Sequence, residues 1–345
     1  MAVQGYSTTV GRNLHRAEGK MLKHAEDEIV LGMFGEFKEQ PLNKTDTVIF
    51  RRLKPVNATT TEVSNIDPVD FQTSEGTTPD SINMDYTDVS VTLIQYAVLF
   101  KYTSKSALMY EDDIPGDMKK LTGEAVATIA EKIAYGQARG GTAVAYSNGS
   151  TRAGVNTKMG LNKLQLIARA FDANKAKHIT SAIKSGPDFG NRSVEPAFVV
   201  FCHSDGESDA RLLPGFTKRI DYGSAVKPLH EREFGAVERF RFVQSSMFAP
   251  FLAAGSATLN GMKSVGGSNV DVYASTILAD AALGHISLKG HGHTGINVRH
   301  VPHDDLNHAN PTGMFGFVGA NFWYNCVRLN ENHMYRYEHG VSDLA

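Results

Sequence analysis

The seven residues from Lys289 to Gly295, KGHGHTG, set two histidines among three glycines in this 345-residue chain. Six of the thirteen histidines fall between His285 and His308. In an extended segment His291 and His293 point the same way, as two ligands of one metal ion must, and His303 and His308 lie close enough along the chain to complete a site. A metallo-hydrolase of the H-x-H-x-D-H type needs Asp and His where this chain has Gly295 and Ile296, so that pattern fails. Gly290, Gly292 and Gly295 also spell G-x-G-x-x-G. A dinucleotide loop of that form needs a strand before it and a helix after it, whose N-terminus meets the phosphates. The next residues in this chain, INVRHVP, are β-branched and closed by Pro302, which makes them poor helix material. The simpler reading is a glycine-rich, solvated loop whose histidines titrate near neutrality.

A second cluster, CHSDGESDARLLPGF (202–216), offers a thiol, an imidazole, hydroxyls and carboxylates. Neighbours on a strand face opposite ways, so Cys202 and His203 do not form a nucleophile–base pair. Ser204-x-x-Glu207 reads as a capping box that starts a short helix, with Pro214-Gly215 ending it. No nucleophile elbow and no Gly-Lys-Ser/Thr phosphate loop occurs.

The elements that must hold these residues describe an ordinary globular chain. A net charge of −2 gives no global reason to bind nucleic acid tightly or to coat an anionic membrane. Two cysteines 124 residues apart suggest neither a disulfide framework nor a Cys-based zinc site. No apolar run has the length of a signal peptide or a membrane span, so the expectation is a soluble chain folding in a reducing cytoplasm. Residues 1–13 read as a mobile arm, and Leu22, Ala25, Ile29 and Met33 as the stripe of an amphipathic helix. TVIF (47–50) is a short strand with Arg51 and Arg52 behind it. Between Pro55 and Phe100 there is no lysine or arginine but seven acids, and too little apolar surface to pack on itself. The chain returns through DVSVTLIQYAVLFKYT (88–103), where the apolar phase shifts by one residue between Leu93 and Tyr96, the mark of a bulge or bend. Pro115 and Asp117 open the best helix, its stripe being Met118, Leu121, Ala125, Ile129 and Ile133 and its stop Gly140-Gly141. A second helix runs through Leu161, Leu164, Ala168 and Phe171. Charge reverses over 152–192, with eight bases and two acids. Strands at 195–202, 239–246 and 270–278 and an alternating aromatic C-terminal stretch complete an α+β pattern.

Seven segments, taken in order, resemble the major capsid proteins of the N-four-like podovirus group, a branch of the tailed-phage shell proteins with the Hong Kong 97-type fold. They are TVGRNL (9–14), TSEGTTPDSINMDYTDVSVTL (73–93), ANKAKHIT (173–180), CHSDGESDARLLPGF, YGSAVKPLHEREFGAVERFRFVQSS (222–246), VDVYASTILADAALGHISLKG (270–290) and NPTGMFGFVGANFWYNC (310–326). The similarity spans almost the whole chain. Two loops, 62–72 and 290–309, look lengthened against that pattern.

The resemblance implies a building block without catalytic residues or cofactor. It divides the chain into an N-terminal arm and helix (1–46), long strands with the extended E-loop (47–103), a P-domain spine helix (104–150), an A-domain (151–309) and returning P-domain strands (310–345). The implied function is to self-assemble as pentamers and hexamers into the icosahedral head around a phage's double-stranded DNA. The implied location is the virion, and the implied partners are further copies, portal, scaffold and decoration proteins, and DNA held without sequence specificity. Charge makes Arg51, Arg52, Asp67, Asp70 and Glu75 the candidate subunit-contact residues, with the acidic stretch of one copy lying over basic surface, such as 152–192, of the next. Two other readings stay open: a metal-dependent hydrolase using His291, His293, His303 and His308, and a non-viral cargo compartment of the same fold.

Overall fold

A computed structural model describes residues 30–58, 63–76, 78, 81–180, 196–222, 228–292, 298–306 and 310–344. The arm at 1–13 and the helix expected from Leu22 lie outside these except for the last residues, where Leu31–Met33 form one 3-10 turn.

The strands are β1 (Glu36–Gln40), β2 (Thr47–Leu53), β3 (Tyr86–Thr92), β4 (Ile94–Thr103), β5 (Val144–Tyr146), β6 (Phe198–His203), β7 (Thr217–Lys218), β8 (Glu233–Val237), β9 (Phe240–Ser245), β10 (Tyr273–Leu278), β11 (Leu283–Leu288), β12 (Arg299–Val301), β13 (Phe315–Arg328) and β14 (Met334–His339). The α-helices are α1 (Ser104–Met109), α2 (Ile114–Arg139), α3 (Leu161–Ala173) and α4 (Glu207–Arg211).

One sheet is built on β13. Its 14 residues pair antiparallel with β4 along one edge, from Phe315↔Thr103 to Tyr324↔Ile94, and with β12 and then β11 along the other. β1 adds a parallel edge strand to β11. The second sheet runs β5-β14-β10-β6-β9-β8-β7. Its middle strands are buried on both faces, which explains the apolar run FVVFC of β6, while β10 also buries Ser275 and Thr276. Leu164, Ile167 and Phe171 of α3 cover one face, and α2 with the 30–34 segment covers the other. Residues 151–309 therefore supply strands to both sheets, and within 310–345 β13 belongs to the first sheet and β14 to the second.

The sequence of α2 accounts for its length. The Asp113 carboxylate accepts the Gly116 N–H, Pro115 pre-sets the first turn, and Asp117 and Arg139 stand at the ends that the helix dipole favours. Its buried stripe is Met118, Thr122, Val126, Ala130, Ala134 and Ala138, one residue round from the expected Met118–Leu121–Ala125 line. The reason is size. Small side chains let the helix lie close on β13, while Ile129 and Ile133 pack beside that contact and Leu121 is exposed.

The phase shift at Leu93 marks a change of sheet. Val89 and Val91 face inward from β3, which pairs only with β2; Leu93 sits buried between the strands; then Tyr96, Val98, Phe100 and Tyr102 turn the inward face of β4 toward α2 and β13. The hairpin β2–β3 is thus anchored at its root by Val48, Phe50, Val91 and Leu93 against Ile286, and most of the described residues of the 54–85 connection are exposed.

Candidate assembly surfaces

Arg51 and Arg52 lie on β2, whereas Asp67, Asp70 and Glu75 lie on the hairpin loop, so the structure does not bring the five candidate residues together. Arg51 makes a bidentate pair with Asp88, its cross-strand partner on β3, through Nε and Nη2 at 2.8 Å each. The Arg51 guanidinium holds the Asp88 carboxyl below its ordinary range by hydrogen bonding, although both side chains are solvated. Asp67 caps the 3-10 turn Pro68–Phe71 by accepting the Val69 N–H at 3.0 Å. Asp70 and Glu75 remain exposed. Of the bases expected to meet this loop, Arg152 is consumed inside the chain by a bidentate pair with buried Glu338, and Lys158 approaches buried Asp209. Arg169, Lys175 and Lys177 stay on the surface.

The feature that charge counting missed is apolar. Of the 25 exposed large hydrophobic residues described, nine lie between Ile49 and Tyr86, among them Leu53, Ile66, Val69, Ile82 and Met84. Exposed apolar side chains recurring along one segment are the kind of surface that a contact with another molecule would bury. The signal was present in the sequence as Ile66, Val69 and Phe71 among the acids.

A concave surface of about 330 Å³ opens at the hairpin root. Phe37, Phe50, Val89 and Leu329 supply apolar walls, and Lys38, Arg51, Arg52 and His333 stand among them. The Lys38 ammonium donates to the Ile49 carbonyl at 3.0 Å and lies over the Phe50 ring, which ties β1 to β2 across this crease.

Two buried groups fix the segment that leads into β1. Glu131 of α2 accepts the backbone N–H groups of Val30 and Leu31 through Oε1 and of Gly32 through Oε2, at 2.7–3.0 Å. Burial pushes its carboxyl up, and the three N–H groups pull it back only in part. His285 donates from Nε2 to the Phe34 carbonyl at 2.7 Å and accepts the Tyr324 hydroxyl at Nδ1 at 2.6 Å. Neither residue stood out in the sequence, because a glutamate or histidine bound inside a fold is spelled like one in water.

Among the described residues, the reactive-looking side chains of the histidine loop form no metal cluster. Gly290 adopts φ +76°, the His291 N–H donates to Leu288, and the His291 carbonyl accepts from Trp323, so this stretch is a turn closing on β13. The next described element is β12, a strand. His293 and His308 lie outside the described residues, and among those described no three His, Cys, Asp or Glu residues gather as a metal site. Cys202 is buried, its thiol pushed up to about 12. His203 Nδ1 accepts the Asp205 N–H, so it is the imidazole, not Ser204, that caps the turn preceding α4.

No family model matches the chain, and no curated protein matches it. Among solved structures the likeness is one of fold. The chain has the α+β Hong Kong 97-type fold of tailed-phage capsid proteins. The capsid of Ralstonia phage GP4 matches with a TM-score of 0.66 and 11% identity, over 97% of both chains. That of cyanophage Pam1 matches at 0.60 and 12% identity, over 97% of this chain and 98% of the other. The capsid of cyanophage P-SCSP1u matches at 0.59 and 11%, over 96% and 94%.

Proposed function

We propose that this chain is the major capsid protein of a tailed bacteriophage, assembling as pentamers and hexamers into the icosahedral head that encloses double-stranded DNA. The observation that carries the reading is the pairing of a whole-chain capsid fold with a long hairpin whose apolar residues find no cover in a single copy. In this reading the β2–β3 hairpin is the E-loop, α2 with β4 and β13 the spine of the P-domain, and the seven-stranded sheet the A-domain. Residues 1–46 form the arm, 47–103 the hairpin region, 104–150 the spine, 151–309 most of the A-domain and 310–345 the returning strands. Arg51, Arg52, Asp67, Asp70 and Glu75 line contacts between copies. The near-neutral charge suits a container, since a basic lining would hold the genome by its phosphates. The seven sequence segments support the N-four-like podovirus group as the branch, and portal, scaffold and decoration proteins as further partners.

Electron microscopy of particles formed by the purified chain tests the proposal. Closed shells or rings of five and six copies are expected. A chain that remains monomeric under every assembly condition, with stoichiometric metal bound, would return the histidine-based hydrolase to consideration. Shells that enclose an enzyme instead of DNA would favour the cargo compartment.

A further inference from the structure

We propose that Arg139, at the end of α2, is the receiving group of a site for a phosphate dianion, either the free ion or the terminal phosphate of a small ester. The site lies within one copy and stands whether or not copies assemble.

The site begins with charge. Where α2 ends, Arg139, Arg152 and Arg336 come together beside one carboxylate, that of fully buried Glu338. Arg152 holds it as a bidentate pair at 2.7 and 2.8 Å, and Arg336 approaches the same carboxylate at 2.8 Å. Arg139 pairs with no carboxylate among the described residues. Three cations against one acid leave an excess of two positive charges. The negative end of the α2 dipole does not cancel it, because its last carbonyls are already in use. Arg336 donates to the Arg139 carbonyl, and Arg328, itself paired with Glu331, donates to that of Gln137.

The second feature is geometry. The guanidinium carbons of Arg139 and Arg152 each stand 3.5 Å from the centre of the Phe251 ring. Two guanidiniums do not fit on one face at that distance, so they cover opposite faces. A guanidinium flat on a ring presents its N–H donors sideways, in its own plane. Arg152 uses its fork on Glu338, while Arg139 keeps its fork for a ligand. Phe251 is held by reciprocal backbone hydrogen bonds with Val272, at 2.8 and 3.0 Å, so the platform is formed before anything binds. Arg139 and Phe251 are half-buried and Leu252 is exposed, which places the platform at the surface.

Charge selects the ligand. A rigid guanidinium fork matches the oxygens of phosphate and of carboxylate alike. A terminal phosphate carries about −1.5 to −2 at pH 7, which offsets the excess of two. A carboxylate, or one phosphodiester of a nucleic-acid backbone, carries a single charge.

Calorimetric titration of inorganic phosphate into the purified chain, at constant ionic strength and without other oxyanions, tests the site. The expected result is saturation at one phosphate per chain. Arg139→Gln should weaken binding about tenfold or more, the cost of hydrogen bonds to a charged group, and Arg139→Lys, which keeps the charge without the fork, should weaken it less. Phosphate stabilises proteins generally by exclusion from their surface. The melting temperature is therefore read as the difference between parent and Arg139→Gln, each melted first in chloride to establish that it folds. Adenosine monophosphate as competitor separates the two sources: displacement of phosphate assigns the site to an ester, and no displacement assigns it to the free ion. Absence of saturable binding to the parent, equal binding by parent and Arg139→Gln, or tighter binding of duplex DNA than of phosphate would overturn the proposal.

Discussion

At the scale of single residues, the histidines that matter are buried ones outside the loop that draws the eye. His339 donates from Nδ1 to the Gly340 carbonyl and accepts the Ser275 hydroxyl at Nε2, each at 2.8 Å, which defines a neutral ring. Burial depresses its pKa from the ordinary 6.5, with Asp209 and the Gly340 carbonyl opposing weakly. His203 shifts the same way, also through burial. A depressed folded pKa means that the unfolded chain takes the proton first. The stabilisation is therefore complete above the unfolded pKa near 6.5 and is lost as pH falls through the folded value. Melting temperature should decline between pH 7.5 and 5, a range of about two and a half units. His339→Gln, which keeps a donor and an acceptor, should flatten that decline; an unchanged slope would assign the acid sensitivity elsewhere. Glu131 supplies a second prediction. Glu131→Ala leaves two buried N–H groups and the half-buried one of Gly32 without their acceptor, and at roughly 1–3 kcal/mol for each buried group the loss should be about 2 kcal/mol or more. Glu131→Gln, which retains an accepting oxygen, should lose visibly less in a denaturant titration. A cost near zero for Ala would mean that the 30–32 segment is held by other contacts.

At the scale of elements, β13 shows how closely its neighbours are fitted. Gly316 stands opposite Tyr102 of β4, and a Cβ there would meet the ring at 2.2 Å. That ring is fully buried and hydrogen-bonded to His300 at 2.7 Å, so it has nowhere to retreat. Gly123, inside α2, has open space where its Cβ would be. Gly316→Ala should destabilise the subunit by ~1–3 kcal/mol as an overpacked site, whereas Gly123→Ala should stabilise it by ~0.5–1 kcal/mol through helix propensity. Calorimetry on the free subunit checks both signs at once. Much of this level was legible beforehand. The caps of α2 and the phase shift at Leu93 are local spellings, one of a helix start and the other of a strand changing faces. The one-residue rotation of the α2 stripe was not legible, because the close fit of Ala130, Ala134 and Ala138 is decided by the strand they pack against. The capping box at Ser204 failed for a related reason: β6 delivers the His203 ring to the Asp205 N–H, so the turn is capped one residue earlier.

At the scale of the whole molecule, the central claim is that one copy is incomplete. Among the described residues its hairpin region exposes apolar side chains from Ile49 to Tyr86, and the sequence sets seven acids and no lysine or arginine between Pro55 and Phe100. The sequence showed the acids plainly and hid the apolar part among them, so it suggested a contact made by charge alone. With both parts, assembly should weaken as salt screens the charges over about 8–10 Å but should not vanish, because apolar burial persists in salt. The most direct measurement is sedimentation velocity on the untagged chain at low and high ionic strength, beside a variant in which residues 63–76 are replaced by a short Gly-Ser turn. The account predicts rings or shells for the intact chain at both ionic strengths, fewer at high salt, and folded monomer for the variant. An intact chain that stays monomeric in both, or a variant that assembles as well as its parent, would contradict it.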